Sequence, residues 1–113
     1  MNFMCGLSGY FGSKILSSNK IKDILNSMKN RGPDAMDYRH YKLNNKNLYL
    51  FHSRLKIIDL HNRSNQPFEK HNKVILYNGE IYNFKEIRKK LVKKGYRFST
   101  NSDTEVILSG YDY

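Results

Sequence analysis

The first third of the chain shows a glycine-rich apolar stretch followed by a helical pattern. Residues 4–12 are apolar, contain three glycines and predict a buried strand. Residues 17–19, Ser-Ser-Asn, can cap a helix. The apolar residues that follow recur at helical spacing and form one face: Ile21, Ile24, Leu25 and Met28. The turn residues 31–34, Arg-Gly-Pro-Asp, then end this helix.

The remainder of the chain predicts further strands and two helices. Alternating side chains make residues 48–58 strand-rich, whereas the polar, proline-containing residues 62–72 predict a loop. Residues 74–82 predict a β-hairpin with Asn78-Gly79 as its two-residue turn. Asn83 can cap a helix that Gly95 ends, and residues 102–105, Ser-Asp-Thr-Glu, form a capping box for a last helix. This order of elements predicts the α+β class, with helices on mostly antiparallel sheets.

Composition narrows the class of protein. The 113 residues suit a single small domain, and 39% hydrophobic residues with 13% aromatics exclude a chain that is disordered throughout. No apolar run approaches the ~20 residues of a membrane span, and the N-terminus lacks the pattern of a secretory signal. The lone cysteine, Cys5, excludes an internal disulfide framework and a multi-thiolate metal site. A soluble, cytoplasmic protein without a membrane partner is therefore expected.

The formal net charge of +10 raises the hypothesis of a nucleic-acid-binding protein. The basic residues are scattered, however, with one concentration on the second predicted helix, opposite its apolar residues: Lys85, Arg88, Lys89, Lys90, Lys93 and Lys94. A solvated helix face explains this cluster, and no nucleic-acid-binding motif accompanies it. We therefore do not expect nucleic acid as a partner, although a catalytically silent basic binding fragment stays as the alternative from another class.

Cys5 has two interpretations. A single cysteine in an apolar strand is usually a small, buried hydrophobic residue. If a leader of residues 1–4 is removed, Cys5 becomes the N-terminal residue. Its free α-amine, with a pKa of about 7.7–8.0, is then partly neutral near pH 7 and lies a few atoms from its own sulfur. One residue would thereby supply both the nucleophile and the base.

Six short blocks give the chain a family resemblance. They are residues 5–9 (Cys-Gly-Leu-Ser-Gly), 31–34 (Arg-Gly-Pro-Asp), 52–59 (His-Ser-Arg-Leu-Lys-Ile-Ile-Asp), 65–67 (Asn-Gln-Pro), 78–83 (Asn-Gly-Glu-Ile-Tyr-Asn) and 102–105 (Ser-Asp-Thr-Glu). In order and spacing they resemble the glutaminase domain of glutamine-hydrolysing asparagine synthetases, which are class II glutamine amidotransferases. The resemblance implies the N-terminal part of a four-layer αββα sandwich, the N-terminal-nucleophile (Ntn) hydrolase fold. Residues 1–4 would be a leader or the result of a misassigned start, with Met4 as the true first residue, and residues 5–113 the truncated N-terminal part of the glutaminase domain.

The resemblance also implies roles for individual residues. Cys5 matches the nucleophile, which forms a γ-glutamyl thioester and releases ammonia. Asn78, through its side-chain amide, and Gly79, through its N–H, match the oxyanion donors. Glutamine would be held by Arg54 at its α-carboxylate, by Glu80 and Asp103 at its ammonium, and by backbone contacts along Leu55, Lys56, Ile57 and Ile58.

Most of these residues also have a purely structural interpretation. Asn78-Gly79 can be only a hairpin turn, Arg54 a surface ion pair, and Asp103 the first-turn acid of a helix. His52 is expected to be a structural strand residue, because the α-amine of Cys5 takes the place of a histidine base. Residues 31–34 are likewise expected to be mainly structural.

The resemblance implies no cofactor and no metal for the glutaminase part. ATP and Mg²⁺ are expected in a C-terminal synthetase domain that this sequence lacks, where ammonia would amidate aspartate. The parent enzyme could form a homodimer. A different ammonia acceptor, such as a sugar or polysaccharide precursor, is the nearest alternative. Because the chain covers about half of the family's glutaminase domain, we expect this piece alone to be inactive.

Overall fold

Residues 5–56 and 60–113 are described by the computed structural model. In chain order the elements are β1 (Gly6–Gly12), α1 (Ser18–Met28), β2 (Ala35–Leu43), β3 (Lys46–Arg54), β4 (Phe68–Lys70), β5 (Lys73–Ile75), α2 (Phe84–Lys93) and α3 (Asp103–Asp112). A short 3₁₀ turn, Asn62–Ser64, precedes β4. The paired strands of both sheets run antiparallel. The predicted α+β class with antiparallel sheets is thus confirmed.

The larger sheet has the strand order β1-β3-β2, so that β3 is central. Its antiparallel register pairs Gly6 with Ser53 and Ala35 with Arg54, which brings the beginnings of β1 and β2 to the end of β3. Helix α1 packs on one face of this sheet, and the buried core there consists of Met28, Tyr49 and Phe51. The end of β3 is therefore the meeting point of three strands.

Helix α1 confirms the helical pattern of the first third. The Oγ atom of Ser17 caps it by accepting the N–H of Lys20 at 3.2 Å. Strand β1 is also confirmed, but the expectation that it is buried is wrong for one of its faces. Leu7 is 49% exposed and Phe11 is 58% exposed. They point away from α1, since successive side chains of a strand face opposite sides.

The hairpin predicted at Asn78-Gly79 is wrong. The hairpin of this region is formed by β4 and β5, and its turn residues His71 and Asn72 have φ angles of 51° and 58°. Gly79 does not have the positive φ that a type I′ turn requires, and residues 76–83 lie outside regular strands and helices. The predicted loop at 62–72 accordingly contains the 3₁₀ turn and all of β4.

The sequence pattern also missed β2, for which residues 35–43 had no predicted element. It pairs with β3 over its whole length, and Asn44, with φ of 55°, lies in the turn between them. Residues 57 and 58, the end of the predicted strand-rich stretch, lie outside the described residues. Strand β3 itself ends at Arg54.

Helices α2 and α3 form where they were predicted. Gly95 has a φ of 94° after α2, which confirms its role as a left-handed stop, while Asn83 makes no side-chain cap bond. Ser102 caps α3 by accepting the N–H of Thr104 at 3.1 Å. The capping box is only half right, because the Glu105 carboxylate bonds to residues 99 and 100 rather than back to Ser102.

The cluster of positive charge on α2 is mostly a solvated face, as predicted. Its lysines are exposed, while Leu91 on the inner side is buried. Arg88 departs from this pattern, because it donates to the Thr100 carbonyl at 2.5 Å and stacks on the Phe98 ring. Among the described helices, none has the length and apolar character to cross a membrane.

Candidate active site

A cavity of about 370 Å³ lies where the residue before β1, the end of β3, the segment before β4, the segment after β5 and the start of α3 come together. Its lining residues come from five separate stretches of the sequence. They are Cys5, Arg54, Leu55, Ser64, Gln66, Tyr77, Asn78, Gly79, Glu80, Tyr82, Ser102, Asp103 and Thr104. The cavity thus brings together seven of the sequence-predicted site residues: Cys5, Arg54, Leu55, Asn78, Gly79, Glu80 and Asp103.

Cys5 is placed by the register of the larger sheet. It precedes Gly6, which pairs with Ser53, so the cysteine lies beside the end of β3. The Leu55 N–H donates to its Sγ atom at 3.2 Å. Cys5 is half-buried at the cavity wall, not sealed in the core, so its sulfur can meet a ligand in the cavity.

Arg54 is buried at the end of β3, with 5% of its surface exposed. Its Nη1 atom donates to the His61 carbonyl at 2.9 Å and to the Asn65 Oδ1 atom at 2.8 Å. The guanidinium is therefore held rigid at the wall of the cavity. The alternative of a surface ion pair does not describe this environment.

The predicted contacts after Arg54 divide into three groups. Leu55 lines the cavity. Lys56 does not: its N–H donates to the Asp34 Oδ2 atom at 2.7 Å and its Nζ atom to the Asn62 Oδ1 atom at 2.8 Å. Ile57 and Ile58 lie outside the described residues, so their predicted substrate contacts stay predictions.

Residues 31–34 support the site without lining it. The Asp34 N–H donates to the Arg54 carbonyl at 3.0 Å, and the Asp34 carboxylate accepts the Lys56 N–H. A Cβ atom on Gly32 would come within 2.3 Å of the Ser53 carbonyl oxygen, so only glycine permits this close approach. These contacts agree with the structural role expected for the block, and they fix the chain on both sides of Arg54.

Asn78 and Gly79 belong to an irregular segment at the cavity, not to a hairpin turn. The residue before them, Tyr77, is held through its backbone by the side chain of Gln66. The Tyr77 ring lies over Gly79, where an added Cβ atom would come within 2.8 Å of the tyrosine oxygen. Glu80, the next residue, is exposed at the cavity rim.

Asp103 is an acidic residue in the first turn of α3, as its structural interpretation predicts, and it also faces the cavity. It is the first residue of α3 and lines the cavity, where it is 6% exposed. Its Oδ2 atom accepts the Ile81 N–H at 3.2 Å, which ties α3 to the segment that carries Glu80. Burial raises the pKa of Tyr77, and the negative charges of Asp103 and Glu80 raise it further. This part of the cavity is therefore electronegative, which suits an ammonium ligand.

His52 is fully buried and does not line the cavity. Its Nε2 atom lies 3.4 Å from the Tyr77 carbonyl oxygen. Burial lowers the pKa of His52 to about 4, and the nearby Arg54 charge lowers it as well. The imidazole is thus neutral at physiological pH. This environment agrees with the structural role expected for His52.

Sequence reasoning gave no role to several residues that line the cavity: Ser64, Gln66, Tyr77, Tyr82, Ser102 and Thr104. Ser102 and Thr104 were seen only as part of a helix cap, and Gln66 only as part of the Asn-Gln-Pro block. That block was a usable signal, because a polar residue within a family motif invites a search for its partner. Ser64 carries no comparable sequence signal.

Comparison with known proteins identifies the class of protein that this site belongs to. The family model of the glutamine amidotransferase domain matches residues 4–113, and the chain belongs to this family. Asparagine synthetase [glutamine-hydrolyzing] 1 of Bacillus subtilis is 39% identical over 115 residues, which cover 96% of this chain and 17% of the relative. The corresponding protein of Sandersonia aurantiaca is 38% identical over 114 residues, covering 96% of this chain and 20% of the relative.

A more distant relative is the putative asparagine synthetase [glutamine-hydrolyzing] 2 of Methanocaldococcus jannaschii. It is 32% identical over 127 residues, covering 96% of this chain and 24% of the relative. The chain therefore spans between 17% and 24% of the lengths of these curated relatives. It is homologous to the N-terminal glutamine amidotransferase domains of asparagine synthetases, as the six blocks indicated.

Proposed function

We propose that this chain is the glutaminase part of an asparagine synthetase-like enzyme and that it hydrolyses glutamine to glutamate and ammonia. One observation carries the proposal: a single cavity collects a candidate nucleophile, candidate oxyanion donors, an arginine and two carboxylates from distant parts of the sequence. The family to which the chain belongs supports the same reading.

The proposed reaction has two halves. The Sγ atom of Cys5 attacks the side-chain amide carbon of glutamine, and the thiol proton passes through the α-amine of Cys5 to the leaving nitrogen. Ammonia departs and a γ-glutamyl thioester stays on the sulfur. Water then attacks the thioester carbon, which releases glutamate and restores the thiol. In both halves the developing oxyanion would accept hydrogen bonds from the Asn78 amide and the Gly79 N–H.

Charge and burial in the cavity support the proposed orientation of glutamine. Arg54 is buried and fixed at the cavity wall, and its planar guanidinium suits the α-carboxylate. Glu80 lies on the segment before α2 and Asp103 on α3, and the hydrogen bond from the Ile81 N–H to Asp103 joins these two parts of the chain. The two carboxylates would bind the ammonium of glutamine. The side-chain amide of glutamine would then be directed toward Cys5.

The rest of the parent enzyme is part of the proposal. The ammonia would pass to an activated aspartate in a synthetase domain, which would bind ATP and Mg²⁺, and no residue of this chain is proposed to hold them. The exposed apolar face of β1, with Leu7 and Phe11, is consistent with a second sheet of a four-layer sandwich packing there. The absence of a disulfide-forming pair fits the reducing cytoplasm, where we place the enzyme.

The decisive experiment joins N-terminal analysis of the full-length protein to labelling. Intact mass and N-terminal sequencing should give Cys5 as the first residue, and a glutamine-analogue alkylator should label that residue alone. The matched control is Cys5→Ala, which should lose both the label and glutaminase activity. An active enzyme that retains residues 1–4, or a label on any other residue, would contradict the mechanism.

The acceptor is tested separately. The full-length protein, supplied with glutamine, aspartate and ATP, should transfer the glutamine amide nitrogen to asparagine, as followed with ¹⁵N-labelled glutamine. Glutaminase activity without ¹⁵N-asparagine would leave the proposed hydrolysis standing and refute only the aspartate acceptor.

A further inference from the structure

Gln66 is a buried polar side chain at the cavity, and the six-block resemblance gives it no role. It is 6% exposed. Its Oε1 atom accepts the Tyr77 N–H at 2.5 Å, and its Nε2 atom donates to the Tyr77 carbonyl at 3.1 Å. Two bonds from one side chain to one residue's N–H and C=O mimic the pairing of a neighbouring strand. Gln66 thereby takes the place of the hairpin partner that the sequence pattern predicted.

Gln66 makes a third contact, with Thr104, and the Tyr77 carbonyl has a second neighbouring side chain, His52. The Nε2 atom of Gln66 also lies 3.4 Å from the Thr104 Oγ1 atom of α3. The Tyr77 carbonyl, in turn, faces the Nε2 atom of the buried His52 at 3.4 Å. That carbonyl belongs to the same planar peptide unit as the Asn78 N–H. Fixing the carbonyl therefore fixes the direction in which the chain enters Asn78.

The hydrogen-bonding capacity of Gln66 is largely used within the protein. An amide side chain offers one carbonyl oxygen and two N–H donors. The oxygen is bonded to the Tyr77 N–H, and the two donors have the Tyr77 carbonyl and the Thr104 hydroxyl as partners. Although Gln66 lines the cavity, both of its donors already have partners, so a direct contact with a ligand is not its main use.

We infer that Gln66 is a positioning residue of the glutaminase site, which aims Asn78 and Gly79 at the oxyanion by clamping the backbone of Tyr77. The inference rests on the proposed function, because it concerns the donors of that reaction. Oxyanion donors act only when they are held in advance at the correct distance, and a displacement of about 1 Å can cost about 100-fold in rate. The clamp supplies this constraint in a segment that has no strand partner.

The test is Gln66→Met in the full-length protein, which keeps the side-chain volume and removes both bonds to Tyr77. We expect kcat for glutamine hydrolysis to fall about 10- to 100-fold, since misaimed donors stabilise the transition state less. The KM for glutamine should change less than about threefold, because Arg54 and Asp103 remain in place. Alkylation of Cys5 by iodoacetamide, which needs no oxyanion donor, should proceed at the wild-type rate.

The matched control is Ser109→Ala. Ser109 is 1% exposed and accepts a bond from Lys70 outside the cavity, so its removal perturbs a buried polar contact without touching Tyr77. This variant should keep the wild-type kcat. If Gln66→Met does not fold, Gln66→Asn serves as the test variant. Asparagine keeps a buried amide, but its side chain is one methylene shorter and does not reach the Tyr77 backbone. This variant should also lower kcat while leaving KM nearly unchanged.

The outcomes separate the two proposals. A wild-type protein without glutaminase activity refutes the proposed function itself. A wild-type enzyme that hydrolyses glutamine, together with a Gln66 variant whose kcat is unchanged, refutes only the positioning role. A variant that raises KM as strongly as it lowers kcat would also overturn it, since Gln66 would then act in substrate binding.

Discussion

Two regions of the molecule bury polar side chains, and they differ in how completely the hydrogen-bonding groups of those side chains are satisfied. Around Glu105, at the junction of α3 and the β4–β5 hairpin, the buried polar atoms have partners within the protein. At the cavity most of them also have partners, but one of those that the structure describes does not. Among residues 5–56 and 60–113, the buried side-chain atoms without a hydrogen-bond partner are Ser64 Oγ, which lines the cavity, and His52 Nδ1, which lies behind it. Satisfied groups hold a fold together, whereas a buried unsatisfied group is costly and calls for an explanation, such as a ligand that bonds to it.

Both carboxylate oxygens of the buried Glu105 have hydrogen-bond partners within the protein. The carboxylate is fully buried and accepts the N–H groups of Ser99 and Thr100 at 3.0 and 2.7 Å and the Thr100 hydroxyl at 2.6 Å. It also pairs with the Lys70 Nζ atom at 2.8 Å. Burial by itself raises the pKa of Glu105, but the bonds from Lys70, Thr100 and Ser99 together bring it below the usual value. The carboxylate therefore stays ionised inside the fold.

The largest expected effect is the loss of this network. Glu105→Ala removes one partner of a buried ion pair and should lower the free energy of unfolding by about 3–5 kcal/mol. Urea unfolding of the full-length protein measures it. The control is Glu69→Ala, because Glu69 forms an exposed ion pair with Arg39 and should cost at most about 1 kcal/mol. An equal loss in the free energy of unfolding for the two variants would show that the buried network of Glu105 contributes no more than a surface ion pair.

The next effect belongs to the cavity and concerns rate instead of stability. Asn78→Ala should lower kcat for glutamine hydrolysis by about 10²–10³, or about 2.7–4 kcal/mol, because it removes an oxyanion donor. Steady-state kinetics and thermal unfolding of the same preparation measure both quantities. Unfolding should change little, since Asn78 is only half-buried in an irregular segment. A loss of stability comparable to that of Glu105→Ala would make Asn78 a structural residue.

A third effect tests the buried His52 through pH. Its pKa is about 4 in the folded protein and about 6.5 when unfolded, so between these values the unfolded chain binds a proton that the folded chain does not. Stability should therefore fall as the pH drops from 6.5 to 4, by up to about 3 kcal/mol. His52→Gln should abolish this part of the dependence. The contribution of Glu105 to stability falls in a different pH range. Because its pKa is lowered in the folded protein, the stability that it contributes is lost only below about pH 4.5.

The pH experiment compares wild-type protein and variant across both windows. Urea unfolding at pH 7.0, 6.0, 5.0 and 4.0 gives the two curves, and their difference isolates His52 from every other titrating group. Parallel curves from pH 6.5 to 4 would show that His52 takes up its proton equally well in the folded state. The histidine would then not be held neutral by burial.

Sequence reasoning found what is local in this structure and missed what depends on distant partners. Helix α1 could be predicted because Ser17 and the apolar spacing after it lie within one helix. Asn78-Gly79 could not be placed, since the N–H of Tyr77 bonds to the side chain of Gln66, eleven positions away, instead of to a facing strand. The site residues came from the family resemblance, which named the expected substrate contacts but not the clamp behind them.

The smallest effect comes from a matched pair of serines and tests the comparison most directly. Ser64 and Ser109 are 2% and 1% exposed, but only Ser109 has a bonding partner among the described residues, the Lys70 ammonium. Ser109→Ala should therefore lower the free energy of unfolding by about 1 kcal/mol, the net value of a hydrogen bond. Ser64→Ala removes a hydroxyl that is already unsatisfied, so stability should stay constant or rise by up to about 1 kcal/mol.

Kinetics of the same two variants test whether the unsatisfied hydroxyl of Ser64 binds the substrate. If Ser64 meets glutamine in the cavity, Ser64→Ala should raise the KM about fivefold, which corresponds to a hydrogen bond of about 1 kcal/mol, while Ser109→Ala should leave KM unchanged. Equal stability losses and equal KM values for the two variants would mean that Ser64 is bonded within the protein after all. The buried polar groups at the cavity would then be no different from those around Glu105, and the contrast between the two regions would fail.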